Sequence, residues 1–151
     1  MFIVNDQLTK KQEDKGRDIF LQLHPGMNWT ESIAKFDVWD LKGSSSTTKM
    51  YVEIKNRWIK STSYPTAFLE VKKYNNLRGI QDSLTERTKV FYFTSYTDSV
   101  SYLFDLTSMR LEDYPIYKKW MKEVTLDNQE IMVEKEVYEL PLASSAKKYK
   151  Y

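Results

Sequence analysis

Two acids and a lysine in neighbouring apolar stretches carry the chemistry of this chain. In "KFDVWDLKGSSSTTKMYVEIKNR", residues 35 to 57, Asp37 lies between Phe36 and Val38, Glu53 follows Val52, and Lys55 follows Ile54. The segment has the pattern of a hairpin, with strands near 35–41 and 49–56 around "KGSSSTT". Charge withdrawn from water is costly, so carboxylates and an ammonium in such strands imply a use for them.

Register decides whether they meet. Folding about Ser45 and Ser46 sets Asp37 opposite Glu53 or Ile54. A one-residue adjustment or a bulge then brings Asp37 and Glu53 side by side, with Cβ atoms roughly 5 Å apart. Lys55 shares that face because side chains alternate with period two. The same fold puts Asp40 opposite Tyr51, roughly 10 Å along the strand, so Asp37 is the expected partner. Two carboxylates that close repel unless a proton or a cation intervenes. Mg²⁺ or Mn²⁺ answers this, held by Asp37, Glu53 and the Ile54 carbonyl, because hard cations take oxygen ligands and keep room for substrate phosphate. Lys55 would then orient a water or steady charge developing on phosphorus oxygens.

The elements that must position these residues follow from periodicity and punctuation. Residues 6 to 24 predict a first helix, from Asp6 to the stop at Pro25-Gly26. Its stripe Glu13, Gly16, Phe20 and Leu23 places an acid among apolar neighbours. "YPTAFLEVKKYNNLRGIQDS" predicts a second helix entered through Tyr64-Pro65-Thr66, with Glu70, Lys73, Leu77, Ile80 and Leu84 inward. Glu70 and Lys73 either face the site or form an i, i+3 surface pair. Runs 88–96 and 99–107 predict an antiparallel pair turned near Thr97-Asp98, 115–124 a short helix or irregular excursion, and 130–142 one or two strands. The expectation is a single α/β domain over 1–142, a mixed central sheet flanked by helices, with 143–151 a short basic, frayed tail.

Composition removes several function classes. The chain has 151 residues, 41% of them hydrophobic, enough for one domain with a true core. No cysteine is present, which excludes disulfides, thiolate zinc sites and cysteine nucleophiles together. His24 is the one histidine, beside helix-stop signals, and is expected to be structural. A net charge of +2 permits contact with nucleic acid without demanding it. Arg57, Lys60, Lys72 and the Lys147, Lys148, Lys150 cluster are the cations available to phosphates, and Trp29, Trp39 and Trp58 either stack bases or pack. No targeting segment or apolar run of spanning length appears, so the expected compartment is the cytoplasm, without membrane contact.

Helix with Glu13, hairpin with Asp37, "VEIK" with Glu53 and Lys55, then a helix with polar residues toward the site: this order resembles the PD-(D/E)XK, or restriction-endonuclease-like, nuclease superfamily. The likeness covers roughly residues 7 to 85 and lacks the proline of the family's name, Phe36 standing before Asp37. It implies an α-β-β-β-α-β core and a Mg²⁺- or Mn²⁺-dependent endonuclease acting on DNA rather than RNA. Asp37, Glu53 and the Ile54 carbonyl would hold metal, Lys55 would position or deprotonate the attacking water, and Glu13 would hold a second ion or an ordered water. Glu70, Lys73, Arg57 and Lys60 are implied neighbours of the nucleic acid. The chain is also similar to small phage and mobile-element nucleases, which implies a host cytoplasm and admits a homodimer. The alternative within the same fold is an inactive nucleic-acid-binding or assembly module.

Overall fold

The run TKVFYFTS has the β-branched and aromatic make-up of a strand buried on both faces, and it forms the middle of the molecule. A computed structural model describes residues 14–32, 39–83, 87–122 and 131–151. In chain order it contains α1 (residues 14–23), β1 (Asn28–Glu31), β2 (Leu41–Ser44), β3 (Lys49–Asn56), β4 (Thr66–Glu70) and α2 (Val71–Ser83). Then come β5 (Thr88–Ser95), β6 (Val100–Asp105), β7 (Ile116–Lys122), β8 (Met132–Pro141) and β9 (Lys147–Lys150). Six strands form a mixed sheet in the order β1-β2-β3-β5-β6-β9, and β4-β8-β7 form a second, antiparallel sheet. Among the described strands only β3 and β5 pair in parallel, and the chain between them passes through β4 and α2, the long crossover that parallel neighbours require.

Each face of the main sheet has its own core. On one, Phe20 of α1 packs with Leu41, Val52, Ile54, Phe93 and Tyr149. The helix comes close because it presents no side chain at Gly16: a Cβ there would lie 3.0 Å from Ile54 Cγ2 and 3.3 Å from Asn56 Cβ. On the other face, Tyr51, Val90, Tyr92 and Phe104 meet Tyr74 and Leu77 of α2 and Leu69, Tyr138 and Leu140 of the smaller sheet. The result is the mixed α/β domain with a helix-flanked central sheet that the sequence predicts. No described helix is long and apolar enough to cross a membrane.

Several local expectations are corrected. The segment 66–70 is strand rather than the first turns of a helix; Ala67 and Leu69 are buried while Thr66, Phe68 and Glu70 are not, a period of two. Pairing of Thr66 to Glu70 with β8 outweighs the helical signal that starts only at Val71. Residues 116–122 are likewise a strand, paired along their length with β8. The C-terminal segment is no frayed tail: β9 adds to β6 as an edge strand, Tyr149 is buried, and its hydroxyl meets His24 Nε2 at 2.6 Å. Strand β1 was not anticipated; Trp29 lies across Gly43, where a Cβ would fall 2.5 Å from the indole ring. His24 is structural as expected, its Nδ1 2.8 Å from the Phe20 carbonyl.

Candidate active site

The hairpin turns at different residues from those the sequence suggests. Ser45 N–H donates to the Thr48 carbonyl, and the Ser45 hydroxyl accepts from Thr48 N–H at 3.2 Å. The serine hydroxyl thus supplies a local turn of its own and moves the pairing centre by one residue. Leu41 then pairs with Val52 and Lys42 with Tyr51. Asp40 is therefore not opposite Tyr51, as folding about Ser45 and Ser46 required; the register carried on past Leu41 and Val52 would set it level with Glu53, two residues further along. Its N–H donates to the carbonyl of Val52, which already faces Leu41. Two residues of one strand against one of the other is a β-bulge, a device that re-aims side chains. The Asp40 carboxylate consequently accepts the Ile54 N–H at Oδ2, 2.7 Å away, and turns Oδ1 toward Arg17 at 3.6 Å. Asp37 and Glu13, the other two expected acids, lie outside the described residues.

Glu53 is buried on the face covered by α2. Lys73, from the first turn of α2, donates to its Oε1 at 2.8 Å. Burial pushes the Glu53 carboxyl up to about 7, with the Asp40 charge acting the same way; the Lys73 and Lys55 ammonium groups oppose them. For Lys73 burial favours loss of the proton, but Glu53, the hydrogen bond to it, Glu70 and Asp40 outweigh that and hold the ammonium above its ordinary range. Lys55 lies two residues beyond Glu53 on the same face and lines the same cleft, with Arg57, Glu70, Lys73 and Met121.

The remaining predicted residues divide. Glu70 lies between two lysines, Oε2 at 3.9 Å from Lys73 and Oε1 at 3.1 Å from Lys135. Lys73 combines both expectations, since it faces the site and neighbours Glu70. Arg57 lines the cleft but is spoken for: its Nη2 donates to the Phe68 carbonyl and the Tyr92 hydroxyl, and its guanidinium stacks 4.0 Å from the Phe68 ring centre. Lys60 is exposed in the loop after β3, away from the carboxylates in sequence and in the pairing. Trp39 packs against Tyr51, and Trp58 is 65% exposed.

Among the described residues no three acids or histidines cluster as a closed metal cage. The donor set nevertheless suits a hard cation. Asp40, Glu53 and the Ile54 carbonyl are all oxygen, and Mg²⁺ is commonly bound by one or two carboxylates with substrate completing its shell. The raised affinity of Glu53 for a proton marks a buried negative site that gains from any cation.

The sequence matches no protein-family model and no curated protein. The fold does have a solved counterpart. A Holliday junction resolvase from the archaeal hyperthermophile Archaeoglobus fulgidus superposes with a TM-score of 0.56 at 11% identity, covering 93% of this chain and 91% of that one. The chain is therefore similar in fold to that resolvase over nearly its whole length.

Proposed function

We propose that this chain is a metal-dependent endonuclease that hydrolyses phosphodiester bonds in DNA. The observation that carries the reading is the Asp40 carboxylate, held on the Ile54 N–H close enough for its charge to act on buried Glu53, with Lys55 on the Glu53 strand face. The resolvase-like fold supports it. Asp40, Glu53 and the Ile54 carbonyl would hold Mg²⁺ or Mn²⁺, which supplies Lewis acidity toward a phosphate oxygen and toward water. In this reading Asp40 takes the place expected of Asp37.

The protein's own groups do the rest. Asp40 is oriented by the Ile54 N–H at Oδ2, and its Oδ1, which now faces Arg17 at 3.6 Å, would turn from that guanidinium to a cation. Lys55, on a flexible stem and within electrostatic reach of Glu53, positions the attacking water or donates to a non-bridging phosphate oxygen as charge grows there. Arg57 holds β3 against β4 through Phe68, which keeps Lys55 in place relative to the cleft. Cutting both strands of a duplex would take two copies of one such site, and hence a dimer.

Supercoiled plasmid and a four-way junction, each with Mg²⁺ or with EDTA, test the proposal. Asp40→Ala, Glu53→Ala and Lys55→Ala should each lower cleavage by roughly a thousandfold, the scale of losing a principal electrostatic group, with circular dichroism unchanged. Ordinary cleavage by folded Glu53→Ala rejects the reading. A second reading, a metal-free DNA-binding module of the same fold, draws on one observation: Lys73 already neutralises Glu53. It predicts no stoichiometric Mn²⁺ binding at any pH.

A further inference from the structure

Lys73 and Glu53 are unequal partners. The Glu53 side chain is 9% exposed and fixed on a strand in the middle of the sheet, whereas that of Lys73 is 38% exposed and reaches in from the edge of a helix. The carboxylate cannot follow a departing cation, but the lysine can leave. Its four-carbon stem is flexible, and its head is a compact charge that is readily hydrated. Glu70, 3.9 Å from the same ammonium, gives it an anion to stay beside as it turns.

Two cations cannot occupy one carboxylate oxygen without strong mutual repulsion. Resting on the nuclease reading, we propose that Lys73 is a positioning residue that acts as a placeholder cation: it neutralises Glu53 until a divalent ion binds, and turns outward, toward Glu70 and solvent, when one does. The alternative for a metal-free chain would be a buried carboxylate with no partner, which is costly. The placeholder keeps the empty site folded, and it lowers the intrinsic affinity for metal, because every ion must first displace an ammonium 2.8 Å from its ligand.

Calorimetric titration of the full chain with MnCl₂ and no DNA, at about pH 8 to limit competition from protons, tests this. Lys73→Met should bind Mn²⁺ about tenfold or more tightly than wild type, inside the roughly 5- to 150-fold range typical of coupled sites. The same variant should unfold at a lower temperature in EDTA and recover most of the difference in saturating Mn²⁺. Lys73→Gln, which keeps a neutral donor to Glu53, should fall between the two in affinity, and serves if Lys73→Met does not fold. Mn²⁺ binding that depends on Glu53 but is no tighter in either Lys73 variant overturns the placeholder role and leaves the nuclease reading standing. Absence of Mn²⁺ binding by wild type and both variants overturns the nuclease reading, and this inference with it.

Discussion

Alternate residues of β3 live in opposite environments. Val52 and Ile54 point into an apolar layer closed by α1, where Gly16 lets the helix backbone approach and Phe20 meets Phe93 edge-on with ring centres 5.1 Å apart. Glu53 and Lys55 point the other way, into a cleft of charges between β3, β4 and α2. The first face gains free energy by excluding water from hydrocarbon. The second holds a buried acid that only a cation makes tolerable. One strand can do both because its period of two separates the side chains. The sealed face makes β3 rigid, and rigidity on that side holds the carboxylate of the other in a fixed place.

Removing packing from the sealed face should have the largest effect on stability. Phe20→Ala deletes a side chain that is 2% exposed and is predicted to cost about 3–5 kcal/mol. Chemical denaturation at neutral pH measures it. If the faces are as distinct as argued, the loss is the same in EDTA and in Mn²⁺. A loss that shrinks markedly in Mn²⁺ would mean that the two faces are coupled through β3.

The charged face should respond to pH instead. Glu53 is raised from 4.5 to about 7 in the folded chain, so between those values the folded state binds more protons than the unfolded one. Stability from this group is full below about 4.5 and is lost as pH rises through 7. In EDTA the wild-type denaturation midpoint should therefore decline from pH 5 to about 8, and Glu53→Gln should flatten the slope. An identical slope in the variant would remove Glu53 as the buried acid.

How much of this was legible in the sequence depends on what sets each feature. Glu53 and Lys55 could be read because strand alternation is local, and so could the antiparallel pairing of 88–96 with 99–107 across a short turn. The acid beside Glu53 could not be read safely, because register depends on which serine closes the turn. The Ser45 hydroxyl settles that with one hydrogen bond. A signal was nevertheless present: "WDL" continues the β2 pattern directly, so Asp40 needs only a bulge to join Glu53. Residues 66–70 and 116–122 looked helical or irregular because their strand character comes from pairing with β8, which the local sequence of either segment does not contain. The C-terminal "KKYKY" alternates in the manner of an edge strand, but its lysines gave the impression of a solvated tail, and only the β6 edge gives Tyr149 a place to be buried.

That last strand supplies the smallest and sharpest test. His24 lies at the end of α1 on the sealed side, with Nδ1 on the Phe20 carbonyl and Nε2 on the Tyr149 hydroxyl. Burial lowers its proton affinity below the ordinary 6.5, the Phe20 carbonyl opposes this, and the Lys147 charge reinforces it. A histidine lowered in this way binds fewer protons folded than unfolded. Its contribution is present above about 6.5 and is lost as pH falls toward the lower folded value. The slope is opposite in sign to that of Glu53 and its window overlaps the Glu53 window below about 6.5, so single variants are what separate the two faces of β3. His24→Gln should steepen the net decline below about 6.5 by removing this opposing rise, while Glu53→Gln should remove the decline itself. Tyr149→Phe should lower stability by about 1 kcal/mol through the lost hydrogen bond and leave the Glu53 limb untouched. If it instead altered the Glu53 decline, β9 would be coupled across the sheet to the charged face, and the separation argued for β3 would fail.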